Sequence, residues 1–267
     1  MGKVIILINY MEGIFLMDTD NAAREEKVDL DGFGKLSVYR SMMYNFFSRV
    51  FARKVDLKFL ESLTQEEIEN VIGGLCEDDE ASMELNRSVR NILFSSLKYD
   101  KTESEFDELF VIPAPGRFIP PYISYYLGGG NQKAGLEDGG KSGNEGDLAI
   151  VDKLEITYKS LNFELKDPNG VSMKRPDHIS YILGFMAVLI NLEDRYITGQ
   201  VREPLPFNEV VANEFMFFNE FVGNWAGLFA DEVIQQSGSM FYAPAAKLMQ
   251  GFIACEQRDY NNIVTKI

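Results

Sequence analysis

Apolar residues recurring every three or four positions constrain this chain more than anything else in it. Tyr39, Met42, Met43, Phe46, Phe47 and Val50 share one helical face. Residues 80 to 98 predict a second helix, with Leu85, Val89, Ile92, Leu93 and Leu97 turned inward. Ile179, Ile182, Leu183, Met186, Leu189 and Ile190 make a third stripe, which Asp177 precedes as its expected N-cap. Phe207, Val210, Val211, Phe217, Phe218, Phe221 and Trp225 make another, and Phe241, Ala245, Leu248, Phe252 and Cys255 the last. Thr64 and Glu67 form a capping-box pattern ahead of IENVIGGL. A face of this kind is stable only when buried against another, so helix must pack on helix. Period-two alternation is scarce, and VIILI near the N-terminus is the best strand candidate. The predicted class is all-α, a single helical bundle.

With 267 residues and 46% hydrophobic content the chain can close a full core. Residues 1–35 read as a loosely attached N-terminal extension and 36–267 as one all-helical domain. Two stretches break the helical pattern. Residues 110–127 carry four prolines, and residues 128–146 hold eight glycines in a loop flexible by composition. The apolar run VIILI is too short for a secretory core or a membrane span, so the chain reads as cytoplasmic with no stable membrane insertion.

Forty-one acidic against 26 basic residues give a net charge of -15, a surface that repels nucleic acid and favours cationic partners. Two distant cysteines, Cys76 and Cys255, and one histidine, His178, argue against a disulfide framework, a zinc site and a Ser-His-Asp set. No cofactor, metal or catalytic residue is expected.

The segment GLEDGGKS, residues 135–142, matches the phosphate-loop pattern letter for letter. A working phosphate loop joins a buried strand to a helix and needs a downstream acidic ligand for magnesium. LGGGNQKA precedes this match and GNEGDLA follows it, so the pattern reads as a chance match in a glycine-rich loop.

Five short motifs carry more. Leu109-Phe110 is followed by Pro120-Pro121-Tyr122 with Ser124 and Tyr126. Pro176-Asp177-His178-Ile179 comes some fifty residues later, then Trp225 and Phe241-Tyr242. In that order, over roughly residues 37 to 255, they resemble the TorD/DmsD family of redox-enzyme maturation chaperones. Three positions depart from the family pattern. Ile182 stands where an acidic residue is common, Phe221 where histidine is common, and Tyr122 where tryptophan is frequent.

The resemblance implies an all-helical cytoplasmic protein with no chemistry of its own. Its partner would be the catalytic subunit of a molybdenum-cofactor oxidoreductase. It would bind the twin-arginine leader, the body, or both, until cofactor insertion is complete. It implies a peptide site at Leu109, Phe110, Pro120, Pro121, Tyr122, Ser124, Tyr126, Asp177 and His178. A monomer or a domain-swapped dimer fits. Physically, PPYISYY offers a rigid aromatic wall for an apolar peptide, or equally a helix start with Pro121 in its first turn. The acid-rich TESEFDELF could draw a leader's arginines or simply face solvent. Two other readings stay open: a nucleotide hydrolase working through GLEDGGKS, and a non-catalytic oligomeric scaffold held by the apolar N-terminus.

Overall fold

The computed structural model describes residues 30–65, 71–72, 79–113, 116–127, 145–165, 175–200, 207–237 and 240–264. Among them, ten α-helices and one π-helical turn follow in order. They are α1 (Leu30–Ala52), α2 (Leu57–Ser62), α3 (Asp79–Leu93), α4 (Ser96–Phe106), the π turn (Asp107–Val111), α5 (Ile123–Leu127), α6 (Glu145–Ser160), α7 (Ile179–Ile197), α8 (Phe207–Phe221), α9 (Ala226–Gln236) and α10 (Tyr242–Val264). The fold is all-α, as the stripes predict. Residues 1–29 of the expected extension, VIILI among them, lie outside the described residues, and its last six form the start of α1. Most of the glycine-rich loop and all of GLEDGGKS also lie outside the described residues.

α1 and α7 form the central pair. Their hydrogen bonds run in opposite senses, from Ser37 to Glu193, Ser41 to Asn191 and Ser48 to the Ser180 carbonyl, so the two helices are antiparallel. Gly184 permits the close approach: a Cβ there would sit 3.2 Å from Ser48 Oγ. α8 packs on α7, and α10 packs on α9, α3 and α1. Aromatic rings fill the centre. Phe110 lies within 6.0 Å of Phe51, Phe106, Phe229 and Tyr242, centroid to centroid, mostly edge to face. Each such pair adds about 0.5–1.5 kcal/mol beyond its buried area.

The local expectations need three corrections, and a fourth expectation falls partly outside the described residues. The predicted helix 80–98 is two helices: the chain breaks after Leu93, and the Ser95 hydroxyl caps α4 by accepting from the Lys98 N–H. Leu97 therefore points outward, 80% exposed beside Phe94 at 91%. A side chain that accepts a helix's first free N–H ends the previous helix more firmly than its apolar neighbours extend it. Tyr39 is exposed, because Ser37, Arg40 and Ser41 fill that stretch of the α1 inner face with polar groups. The Thr64 hydroxyl donates back to the Glu61 carbonyl, which closes the end of α2; its expected partner Glu67 lies outside the described residues. α5 begins at Ile123, so Pro121 stands before the helix and not in its first turn.

A buried ionic network crosses the bundle, and the sequence reading does not anticipate it. Arg40 from α1 donates through Nε to Glu256 Oε1 (2.7 Å) and through Nη1 to Glu193 Oε2 (3.2 Å). Its Nη2 reaches Glu256, Glu214 and the Tyr260 hydroxyl. Ser37 donates to Glu193 and Tyr44 to Glu256. The four charged side chains come from α1, α7, α8 and α10, and all are buried. Three carboxyls around one guanidinium leave an excess of negative charge. Burial, with Glu214 nearby, pushes the Glu193 carboxyl up to about 8.

Candidate peptide-binding site

The two motif segments meet. Residues 121–123 and 177–179 pair as a single antiparallel bridge, Tyr122 opposite His178. The Ile123 N–H donates to the Asp177 carbonyl (3.0 Å), and the Ile179 N–H to the Pro121 carbonyl (2.8 Å). Prolines 120 and 121 have no N–H to leave unpaired, so this short extended stretch is satisfied inside an all-helical protein. Backbone pairing also fixes the starts of α5 and α7 against each other.

Side chains lock the junction from below. Asp177 is completely buried. It accepts from Ser124 Oγ (2.6 Å) and, through both oxygens, from Arg175 Nε (3.0 Å) and Nη2 (2.7 Å). Arg175 Nη2 also donates to Ser124 Oγ at 3.1 Å, and its guanidinium lies 4.1 Å from the centre of the Tyr122 ring. The N-cap of α7 is His178 and not Asp177, contrary to the sequence expectation: His178 Nδ1 accepts from the Ser180 N–H at 3.2 Å. Asp177 turns inward because only a carboxylate can match the Arg175 fork. Burial pushes the His178 imidazole down to about 4, so it is neutral at physiological pH.

The predicted site residues occupy two levels. Leu109, Phe110, Pro120, Pro121, Ser124 and Asp177 are buried. The π turn puts Leu109 and Phe110 both inward, and the Leu109 carbonyl accepts from the Ile119 N–H at 2.7 Å, which clamps the proline segment onto the core. π turns interrupt helices where a local side-chain placement demands it. Tyr122, Tyr126 and His178 are half-buried and form the level above. Tyr122 and His178 meet edge to face at 5.4 Å. Tyr126 packs 5.4 Å from the Trp225 ring, and its hydroxyl donates to Glu232 at 3.0 Å. The Tyr122 and Tyr126 phenols are both raised by burial.

Beside them opens an apolar groove between α5, α6 and α8. Ile123, Leu127, Ile150 and Phe221 line it, with the Lys153–Glu220 ion pair at its rim. Three of the four acids of TESEFDELF are held in ion pairs. Glu105 and Glu108 pair with Arg117, and Asp107 pairs with Lys54 at 2.6 Å. Ile182 and Phe221, the two apolar departures from the family pattern, are buried and pack in the core.

Sequence reading missed Arg175, although it stands two residues before Asp177. It also missed the Arg40 network, whose signal was present: Arg40, Glu193, Glu214 and Glu256 each interrupt or adjoin an apolar stripe. No group of His, Cys, Asp and Glu side chains among the described residues is arranged to hold a metal ion. No described helix is long and apolar enough to cross a membrane.

Comparison with known proteins follows the same residues. Residues 76–231, which hold every motif from Leu109 to Trp225, match the family described as nitrate reductase delta subunit. The chain is 23% identical over 218 residues to the chaperone protein TorD of Shewanella pealeana, spanning 80% of this chain and 86% of that protein. Neither description is that of an enzyme acting on nucleotides, and neither supports the hydrolase or scaffold readings. With its helices, its paired motifs and most of its length matched, the chain belongs to the nitrate reductase delta subunit family of TorD-type chaperones, which are binding proteins and not enzymes.

Proposed function

We propose that this chaperone binds the twin-arginine leader, and with it the body, of a molybdenum-cofactor oxidoreductase subunit. It holds that subunit in the cytoplasm until the cofactor is inserted. The observation that carries the reading is the two-level junction. A rigid buried base of Pro120, Pro121, Ser124 and Asp177 presents Tyr122, Tyr126 and His178 beside an apolar groove. Leaders of this kind join two arginines to an apolar stretch. Aromatic faces and the groove suit the apolar part, and the chain's charge of -15 suits the arginines. Leu109 and Phe110 serve this site from beneath, by holding the proline segment in place.

Calorimetric titration of a twin-arginine leader peptide tests it. Tyr122→Ala and Tyr126→Ala remove contact area without emptying the core and are expected to weaken binding by about tenfold or more, that is about 1.4 kcal/mol each. Higher salt should slow association while the apolar contribution persists. If both folded variants bind as the wild type does, the leader sits elsewhere.

A further inference from the structure

The arrangement around Arg175 has the geometry of a bound ligand. Both Asp177 oxygens face one guanidinium through a two-point fork, at 2.7 and 3.0 Å, and Ser124 Oγ adds a third contact at 3.1 Å. The Tyr122 ring lies against the same group at 4.1 Å. A carboxylate taking a bidentate fork, a hydroxyl beside it and an aromatic face over the plane are the three elements that select a guanidinium over an ammonium. The burial is asymmetric. The Asp177 side chain has no exposure, whereas that of Arg175 is 40% exposed, so Arg175 enters the site from the solvent side and covers the acid. Its charge is held by a carboxylate only two residues away, while its own carbonyl accepts from the His178 N–H at 3.2 Å, so the backbone stays fixed when the guanidinium swings out.

We infer that Asp177, Ser124 and Tyr122 form a guanidinium-recognition site, and that Arg175 is its resident occupant, which an arginine of the partner displaces. This deepens the leader reading above and rests on it for the identity of the displacing arginine. The exchange replaces one fork by another of the same chemistry. The buried carboxylate is thus never left unpaired, and the affinity for the partner is held down by the competing side chain. A resident arginine would make capture reversible, as a protein that must release its client requires. It would also let the site reject lysine, because an ammonium cannot satisfy both Asp177 oxygens in the plane that Tyr122 covers.

Two variants test this. Arg175→Ala vacates the site and leaves Asp177 without its fork, and its melting temperature should fall. Ethylguanidinium at about 20 mM should restore a good part of that loss by mass action, and ethylammonium at equal ionic strength should not. The double variant Arg175→Ala/Asp177→Asn should show no such selectivity. Arg175→Lys keeps a charge over the carboxylate and serves if the alanine variant does not fold. It should bind an Arg-Arg leader peptide about tenfold more tightly than the wild type, with no gain for the Lys-Lys version. Equal rescue by the two cations, or none, overturns the guanidinium site. Unchanged or weaker binding of the Arg-Arg peptide to Arg175→Lys overturns the competition. If no form of the protein binds the leader peptide at all, the leader reading falls, while the rescue measurement still decides whether the site takes a guanidinium.

Discussion

Replacing Glu193 by glutamine should make the protein more stable, by a margin that grows with pH. In the folded state the Glu193 carboxyl keeps its proton up to about pH 8, against 4.5 for an unburied glutamate. The cause is burial, reinforced by Glu214 and only partly offset by Arg40. Between these two values folding takes up a proton. The group favours the folded state fully below pH 4.5, and that advantage is lost as pH rises through the interval to about 8. The linkage slope is about 1.4 kcal/mol per pH unit while the proton is taken up, and it fades once the folded form also ionises. Integrated from pH 6 to pH 9, the wild type should lose about 3 kcal/mol through this group. Glutamine is uncharged at every pH and nearly the same shape as the protonated acid. Its amide can donate towards Glu214, whose Oε2 has no hydrogen-bond partner, while its oxygen still accepts from Arg40 or Ser37. Urea unfolding of both proteins at pH 6, 7, 8 and 9 gives the difference directly. Its change from pH 6 to pH 9 should be about 3 kcal/mol in favour of Glu193→Gln. Stability curves that run parallel, with the difference moving by less than about 0.5 kcal/mol, would show that Glu193 is ionised throughout and that Arg40 and Ser37 hold its charge in place.

Three further outcomes are expected. The single histidine makes an NMR titration unambiguous: the His178 imidazole should change its shifts with a midpoint near pH 4, and a midpoint near 6.5 would show it to be solvated and not packed against Tyr122. Its depressed value also means that it contributes stability above pH 6.5 which is lost as pH falls towards 4, so acid unfolding of His178→Gln should begin at lower pH. Lys141→Ala, in the segment that mimics a phosphate loop, should leave stability and leader binding within about 0.5 kcal/mol of wild type. Nucleotide binding that disappears with Lys141 would refute that.

The sequence by itself determined the class of fold and the ordered motifs. Three- and four-residue spacing of Met43, Phe47, Leu183, Met186, Phe218 and Phe252 is a local property, because a helix exposes the same face whatever lies opposite, and all of these residues are buried. The short motifs were equally legible in one dimension, since proline, aspartate and histidine at fixed offsets impose local backbone choices. Tertiary structure decided which of the motif residues form the accessible surface. Asp177 reads as a helix cap in sequence, yet Arg175 and Ser124 draw it inward and His178 takes the cap, because a buried carboxylate needs donors that no helix terminus supplied there. The break at Ser95, which turns Leu97 outward, was a contest between a cap and an apolar stripe that spacing alone does not settle. Most of all, Arg40 finds Glu193, Glu214 and Glu256 across more than 150 residues of chain. Long-range pairing of charges depends on which helix faces which, and that choice is made only when the apolar faces have packed and shut water out.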